Sequence, residues 1–384
     1  MNRIKLKKHM KIRIQIVFIC LCLISGCKYS GSNNIQIEDA EYIVVHPENY
    51  QDKIHYSQLF DTIRYVKLET QDDILLASIA KIRLFKNNFY ILDNRQNVLF
   101  VFSETGKFIR KIGKMGSAPG EYSRIADFDL NNDRIYLFDP NKDILEYDLS
   151  GNYIGNHPLR RMGTSIAVNN SFFYVSTCNY PSEEGNYQLL IMNDYGKDFV
   201  GGIPLTQKNL TGVCRMYESG NAFYRYNNEV RFFSPFSTII YSIAGDSIYT
   251  KYNIDFGEFN IPDNFFNNYT IEDLDGKSYA YGLNSFWEND FCFSFNLRIK
   301  DQFKKVYYLK EDKKIIVGNF YDDIAFCFPK LLVSNNDFAL GFRFADELHG
   351  EYDHIKRENS VLEKIISEVT EDDNPVVFLY YFKR

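Results

Sequence analysis

This 384-residue chain has one tryptophan, six histidines and ten prolines, and it contains no CxxC, GxSxG or HExxH sequence and no phosphate-binding loop. Each absence removes a chemistry. The nucleophile elbow of acyl hydrolases and the two-histidine helix of zinc proteases are both missing. Beyond the N-terminal segment the histidines are His46, His55, His157, His349 and His354. Only the last two lie close together, among Glu347, Glu351 and Asp353. Two ligands on one helix face need a spacing of three or four, so five apart fits a solvated acidic loop better than a metal site. Turns such as Asn131-Asn132-Asp133 and Glu371-Asp372-Asp373-Asn374 lack the alternating oxygens of a calcium loop. No metal and no cofactor are expected.

Long apolar runs are scarce too. The one that stands out is Ile14 to Ile24, broken by Gln15 and preceded by Arg3, Lys5, Lys7, Lys8, Lys11 and Arg13. It is about half the roughly 20 residues that a bilayer-spanning helix needs, so it reads as a leader, with Met1 or Met10 as the start. Its end, Ile24-Ser25-Gly26-Cys27, resembles the bacterial lipoprotein signal, which is cut before a cysteine carrying lipid on sulfur. Lipidation of Cys27 would make the membrane an anchor point only. The alternative is an ordinary secretory signal with a chance cysteine. The expected organisation is a signal peptide at 1–26, a tether and lead-in at 27–54, and one domain at 55–384.

Positive charge is in deficit. The chain carries 44 basic and 50 acidic residues, a formal −6. Six of the basic residues and no acids lie before Cys27, so the mature chain has 38 against 50, or −12. Such a surface repels phosphate backbones, and nucleic acid is not an expected partner. After the leader and Cys27 the cysteines are Cys178, Cys214, Cys292 and Cys327. Two disulfides of unknown pairing or buried free thiols are both open readings.

Aromatics, by contrast, are abundant: 33 Phe and 29 Tyr help make up 16% of the chain. Their main pattern is alternation along short strands, which suits packing on a pleated sheet. Glycines 106, 151 and 196 stand 45 residues apart, each between a long and a short alternating run. A fixed hairpin period in the low forties is the mark of a β-propeller blade. The second unit displays four strands: Ile125 to Leu130, Arg134 to Asp139, Ile144 to Leu149, and one opening at Tyr153-Ile154. Later units drift, with an insertion over 256–282 and helical spacing over 358–369. The strand Ile63 to Leu68 precedes the first full repeat and is expected to pair with Val376 to Phe382, closing the ring. The fold class is therefore all-β, a six-bladed β-propeller of four-stranded antiparallel blades.

The stretch Ile112-Gly113-Lys114-Met115-Gly116-Ser117-Ala118-Pro119-Gly120-Glu121-Tyr122 resembles an NHL-type propeller repeat. With the opening Phe60 to Thr70 and the ending Asp373-Asn374-Pro375-Val376-Val377, the chain resembles the six-bladed propeller lipoproteins of Bacteroidetes. It departs from them at Asp322-Asp323-Ile324, where Ala325-Phe326-Cys327 stand in place of expected glycines. The resemblance implies a fold and an envelope address, with no common activity. In some such lipoproteins acids after the lipidated cysteine mark surface export; their absence here favours the periplasmic face of the outer membrane. Some NHL-like propellers are zinc lyases, but here blades 1 to 3 offer only His157.

The candidate ligand-contacting residues are Glu121 and Arg124, at the link between blades 1 and 2, and Trp287, as part of an aromatic platform. Each has a bland reading beside it: Glu121 capping backbone N–H groups, and the rings filling the core. No catalytic residue is assigned. The expected function is a monomeric, non-catalytic scaffold that binds a glycan, a peptide or an envelope protein. The alternative is a glycan-active lyase or hydrolase at the channel mouth, which would need two suitably spaced carboxylates.

Overall fold

The computed structural model describes residues 35–36, 40–159, 163–193, 197–211, 221–274, 276–300, 302–327, 329–353, 355 and 360–383. Cys27, Gly196, Cys214 and His354 lie outside these residues. Six small antiparallel sheets form a six-bladed β-propeller with four-stranded blades. The innermost strands are Lys81–Phe85, Asp127–Asn131, Ser165–Asn169, Phe223–Tyr226, Tyr281–Glu288 and Lys330–Ser334. Each begins at the face that carries the blade-to-blade connections and ends at a tight turn on the other face.

Burial falls from the axis outward, and the sequence follows it. In blade 2 the inner strand is buried nearly throughout, whereas the outer strand Tyr153–His157 is largely exposed. Between the first two strands of blades 1, 2 and 4 sit Lys86-Asn87, Asn132-Asp133 and Asn227-Asn228, all with positive φ. That is the two-residue turn whose twist matches a hairpin, and asparagine tolerates it.

The aromatic excess fills the spaces between blades. Six buried clusters each span one pair of adjacent blades among the described residues. Between blades 4 and 5, Tyr224, Tyr252, Phe286 and Phe293 stack on one another. Such offset pairs add roughly 0.5–1.5 kcal/mol each beyond the area they bury.

The ring closes as the sequence pattern predicts. Phe60–Lys67 is the outer strand of blade 6, antiparallel to Val376–Phe382, with Val66 opposite Val377 and Arg64 opposite Leu379. Asn374, buried, reinforces the seam: its Nδ2 donates to the carbonyls of Glu69 and Ile74, and its Oδ1 accepts from Leu76 N–H at 2.8 Å. The turn glycine of blade 1 packs on the same seam. Gly106 has φ +86°, and a Cβ there would lie 1.9 Å from the Lys67 carbonyl oxygen. Gly151, its counterpart in blade 2, has the same φ, but its nearest neighbour would be Ile112 Cδ1 at 3.2 Å, with Arg110 Cδ and the Lys111 carbonyl at ordinary contact distance.

Three features go beyond the sequence pattern. The lead-in is part of the fold from residue 35, where Ile35–Gln36 already pairs with the outer strand of blade 4. Glu41–Val44 lies parallel to the outer strand of blade 4, and Gln51–His55 lies parallel to that of blade 5. The stretch around His349, expected as an acidic loop, is a helix at Ala345–Gly350, with Arg343 paired to Glu347 and Glu351. Where glycines were expected, Phe326 itself adopts φ +62°, while Asp322 Oδ1 accepts the N–H groups of Ile324 and Ala325. The glycine-like backbone is present, and a phenylalanine bears the strain.

Both insertions lie on the connection-bearing face. The one between blades 4 and 5 includes the short helix Phe265–Asn268, and Phe265, Phe266, Ile271 and Leu274 bury a small core with Leu210. The other, between the second and third strands of blade 6, holds Ala345–Gly350 and the helix Ser360–Ser367.

Candidate functional site

Inner strands buried on both faces have little use for charge, yet two of them alternate it. Blade 1 places Lys81 and Arg83 on either side of Ile82, and blade 2 places Asp127 and Asp129 on either side of Phe128. The equal spacing within each pair lets two rungs form across the bore. Lys81 Nζ donates to Asp127 Oδ1 and to the Phe128 carbonyl, both at 2.8 Å. Arg83 pairs with Asp129 Oδ1.

The far oxygens reach the next blade. Asp127 Oδ2 accepts Ile166 N–H at 2.9 Å, and Asp129 Oδ2 accepts Val168 N–H at 2.8 Å. Arg225 of blade 4 then spans the bore, donating from Nη2 to Asp129 Oδ2 and to the Val168 carbonyl, each at 2.6 Å. Four blades are thus joined through two aspartates. Burial alone would raise the Asp129 carboxyl, but Arg225, Arg83 and Lys81 outweigh it and hold the group well below the usual carboxylate range. For Asp127 burial wins over Lys81, and its carboxyl is pushed up. Burial lowers the Arg83 guanidinium, with Asp129 opposing and Arg225 adding to the effect.

Glu288, at the tight-turn end of the blade 5 inner strand, ties blade 5 to blade 4. It is fully buried and takes Tyr252 OH at 2.6 Å, Tyr224 OH at 3.3 Å, Lys310 Nζ at 2.8 Å and Arg231 Nε at 3.4 Å. Burial and the Glu288 charge drive both phenols well above their ordinary value, so they stay protonated donors. Between the aspartate ladder and Glu288 lies a cavity of about 150 Å³, lined by inner-strand residues of all six blades.

Of the residues singled out from sequence, Glu121 and Arg124 lie away from this cavity, and Trp287 is part of its lining. Glu121 sits in the link between blades 1 and 2, where its carboxylate takes Lys114 Nζ and Ala118 N–H, both at 2.9 Å. The bond to Lys114 first, then that to Ala118, lowers its carboxyl. Arg124 is exposed beside it, its backbone N–H on Asp139. Trp287 corrects the expectation of a platform. It is 2% exposed and packs edge-on against Tyr307, 5.6 Å between ring centres, and beside Phe382. Cys178, Cys292 and Cys327 are buried free thiols. No group of three or more His, Cys, Asp or Glu able to hold a metal occurs among the described residues.

One trio looks catalytic by composition. His55 Nδ1 and Ser57 Oγ lie 3.0 and 2.5 Å from the same oxygen, Asp323 Oδ2. In a nucleophile triad the histidine takes the serine proton and the acid orients the histidine. Here the acid binds both partners directly, so the trio fastens the lead-in to blade 5.

Fold and site together define a six-bladed β-propeller whose bore is laced by buried ion pairs. The chain belongs to the DUF4934 family, a domain of unknown function, which it matches over residues 34–381. It is similar to a solved Bacteroides fragilis protein described as exported, at 18% identity and a TM-score of 0.76, over 90% of this chain and 100% of that one. A solved DUF4221 family member from Bacteroides vulgatus aligns at 10% identity and a TM-score of 0.48, covering 85% and 98% of the two chains. At 18% identity the first of these likenesses speaks for the fold alone. No curated protein matches the sequence.

Proposed function

We propose that this protein is a lipoprotein of the cell envelope, anchored through Cys27, that works as a monomeric, non-catalytic binding or interaction scaffold. The observation that carries this reading is the saturation of the bore carboxylates. Both oxygens of Asp127, Asp129 and Glu288 already hold donors. A glycosidase needs one carboxyl free to give a proton and another free to attack or to activate water. The partner, a glycan, a peptide or an envelope protein, would meet the connection-bearing face, where the two insertions add surface that a bare ring lacks. The resemblance of Ile24 to Cys27 to a lipoprotein signal supports the anchor, and no helix among the described residues is long and apolar enough to cross a membrane. The periplasmic face of the outer membrane is the proposed address, with NHL-like repeats as the kin of the blades.

Two measurements test the proposal. Cys27→Ser is expected to move the protein from the membrane fraction to the soluble envelope fraction and to abolish labelling by a fatty-acid probe. A Cys27→Ser protein that stays with the membrane would overturn the anchor. Incubation with glycan and peptide libraries is expected to give binding without turnover. Turnover that Asp129→Asn abolishes in a folded protein would overturn the scaffold reading in favour of the enzyme.

A further inference from the structure

The mature chain is acidic, but the wall of its bore is not. Lys81, Arg83 and Arg225 face two carboxylates, Asp127 and Asp129, an excess of one positive charge. Glu288, the third carboxylate of the bore, is met by both Arg231 and Lys310. Neither guanidinium of the ladder is used up. Arg83 and Arg225 remain 20% and 19% exposed, and their bonds to Asp129 and Val168 employ one nitrogen of each. Each guanidinium has five N–H donors. Arg225 Nε is buried with no hydrogen-bond partner. A buried guanidinium donor left over in this way calls for a functional reason.

Much of the rest of the wall is apolar, including Leu84, Ala167, Phe286 and Val333, with Tyr224 and Ser334 adding hydroxyls. We propose that the bore cavity binds a small organic monocarboxylate, its head on Arg83 and Arg225 and its apolar body against the hydrophobic wall. This deepens the scaffold reading by naming a ligand class for the ring. Charge favours one negative unit over two, because Lys81, Arg83 and Arg225 exceed Asp127 and Asp129 by one positive charge. Size fits as well: about 150 Å³ is below the range for drug-sized ligands, so only a few non-hydrogen atoms enter. Guanidinium suits the task better than ammonium, since its planar fork matches a carboxylate on two points.

Titration calorimetry of the intact mature protein at low ionic strength, with acetate, butyrate, benzoate and inorganic phosphate as separate probes, tests the assignment. Saturable binding of butyrate or benzoate is expected, tighter than acetate because the wall is apolar. Arg83→Gln is expected to weaken it about ten- to a hundredfold, the scale of a lost charge-assisted hydrogen bond. Arg83→Lys keeps the charge without the fork and is expected to fall between the two. Circular dichroism and a cooperative unfolding transition above the assay temperature confirm that each variant is folded; where Arg83→Gln fails this check, Arg225→Lys replaces it and is expected to weaken binding several-fold. No saturable binding, binding of phosphate alone, or binding that survives these substitutions would overturn the proposal. None of these outcomes touches the scaffold reading, which fails only through turnover.

Discussion

Blades 1 to 4 are tied across the bore by the Asp127 and Asp129 ladder, and blades 4 and 5 are tied at the carboxylate of Glu288. Both devices sink carboxylates into a dry interior and surround them with cations. They differ in what else they hold. The aspartates accept main-chain N–H groups of the blade 3 inner strand, at Ile166 and Val168, and so act as a substitute for a neighbouring strand. The four partners of the Glu288 carboxylate are side chains, two of them phenols. Losing an aspartate therefore strands backbone amides as well as cations, whereas changing Glu288 leaves groups that can rearrange.

That contrast can be broken or sharpened in three ways. The largest effect is expected for Asp129→Ala, which leaves Arg83, Arg225 and Val168 N–H without their shared partner. Breaking a buried pair of this kind costs about 3–5 kcal/mol, against about 1–3 kcal/mol for Glu288→Gln, which keeps one acceptor oxygen. Urea denaturation at neutral pH measures both. Equal losses would remove the distinction drawn between ladder and knot.

A middle-sized effect separates two turns of the same shape. Gly106→Ala must clear the Lys67 carbonyl, whereas the nearest neighbour that Gly151→Ala meets is a movable Ile112 methyl. Both bear the cost of a positive φ, about 1 kcal/mol or more. The expectation is about 1 kcal/mol for Gly151→Ala and at least twice that for Gly106→Ala. A cost for Gly151→Ala equal to that for Gly106→Ala would show that the seam yields.

The smallest effect is one of sign. Asp129 has a folded-state pKa below its unfolded value, so its stabilisation is whole above about pH 4 and fades as the pH falls through the folded value. Asp127 is raised, so it binds a proton more readily when folded and offsets part of that acid loss. Asp129→Asn is expected to flatten the fall in stability between about pH 5 and pH 2. Asp127→Asn is expected to steepen it. Denaturation midpoints across that range decide, and slopes of the same sign would overturn the assignment.

Much of the architecture was legible because each blade repeats one burial problem. The 45-residue spacing of Gly106 and Gly151 marks hairpins that pack on the preceding outer strand, and Ile63 to Leu68 had an apolar face with no local partner. The ladder was missed although its signal was present. Lys81 and Arg83 precede Asp127 and Asp129 by the same 46 residues, so opposite charges occupy matching places in successive repeats. Read singly, each strand is only an alternating strand; read as a pair, the two spell an ion-pair ladder. Arg225 carries no such signal, because its reach across the bore depends on ring closure. The parallel addition of Glu41–Val44 and Gln51–His55 was equally hidden, since their partners lie some 200 to 270 residues away. The role of Trp287 went astray because an aromatic on a strand looks the same from sequence whether it faces solvent or a neighbouring blade.

Closure by Phe60–Lys67 also has a consequence in time. A chain that emerges N-terminus first presents this strand long before its partner Val376–Phe382, about 310 residues later. At ordinary synthesis rates of about 5–20 residues per second, the wait is roughly 15–60 s. For that interval the strand is an open edge, which other chains can join. Asp61, Arg64 and Lys67 interrupt its apolar residues with charge of both signs, the pattern that keeps such edges from associating. The strand that finishes the ring is thus also the one whose composition equips it to wait.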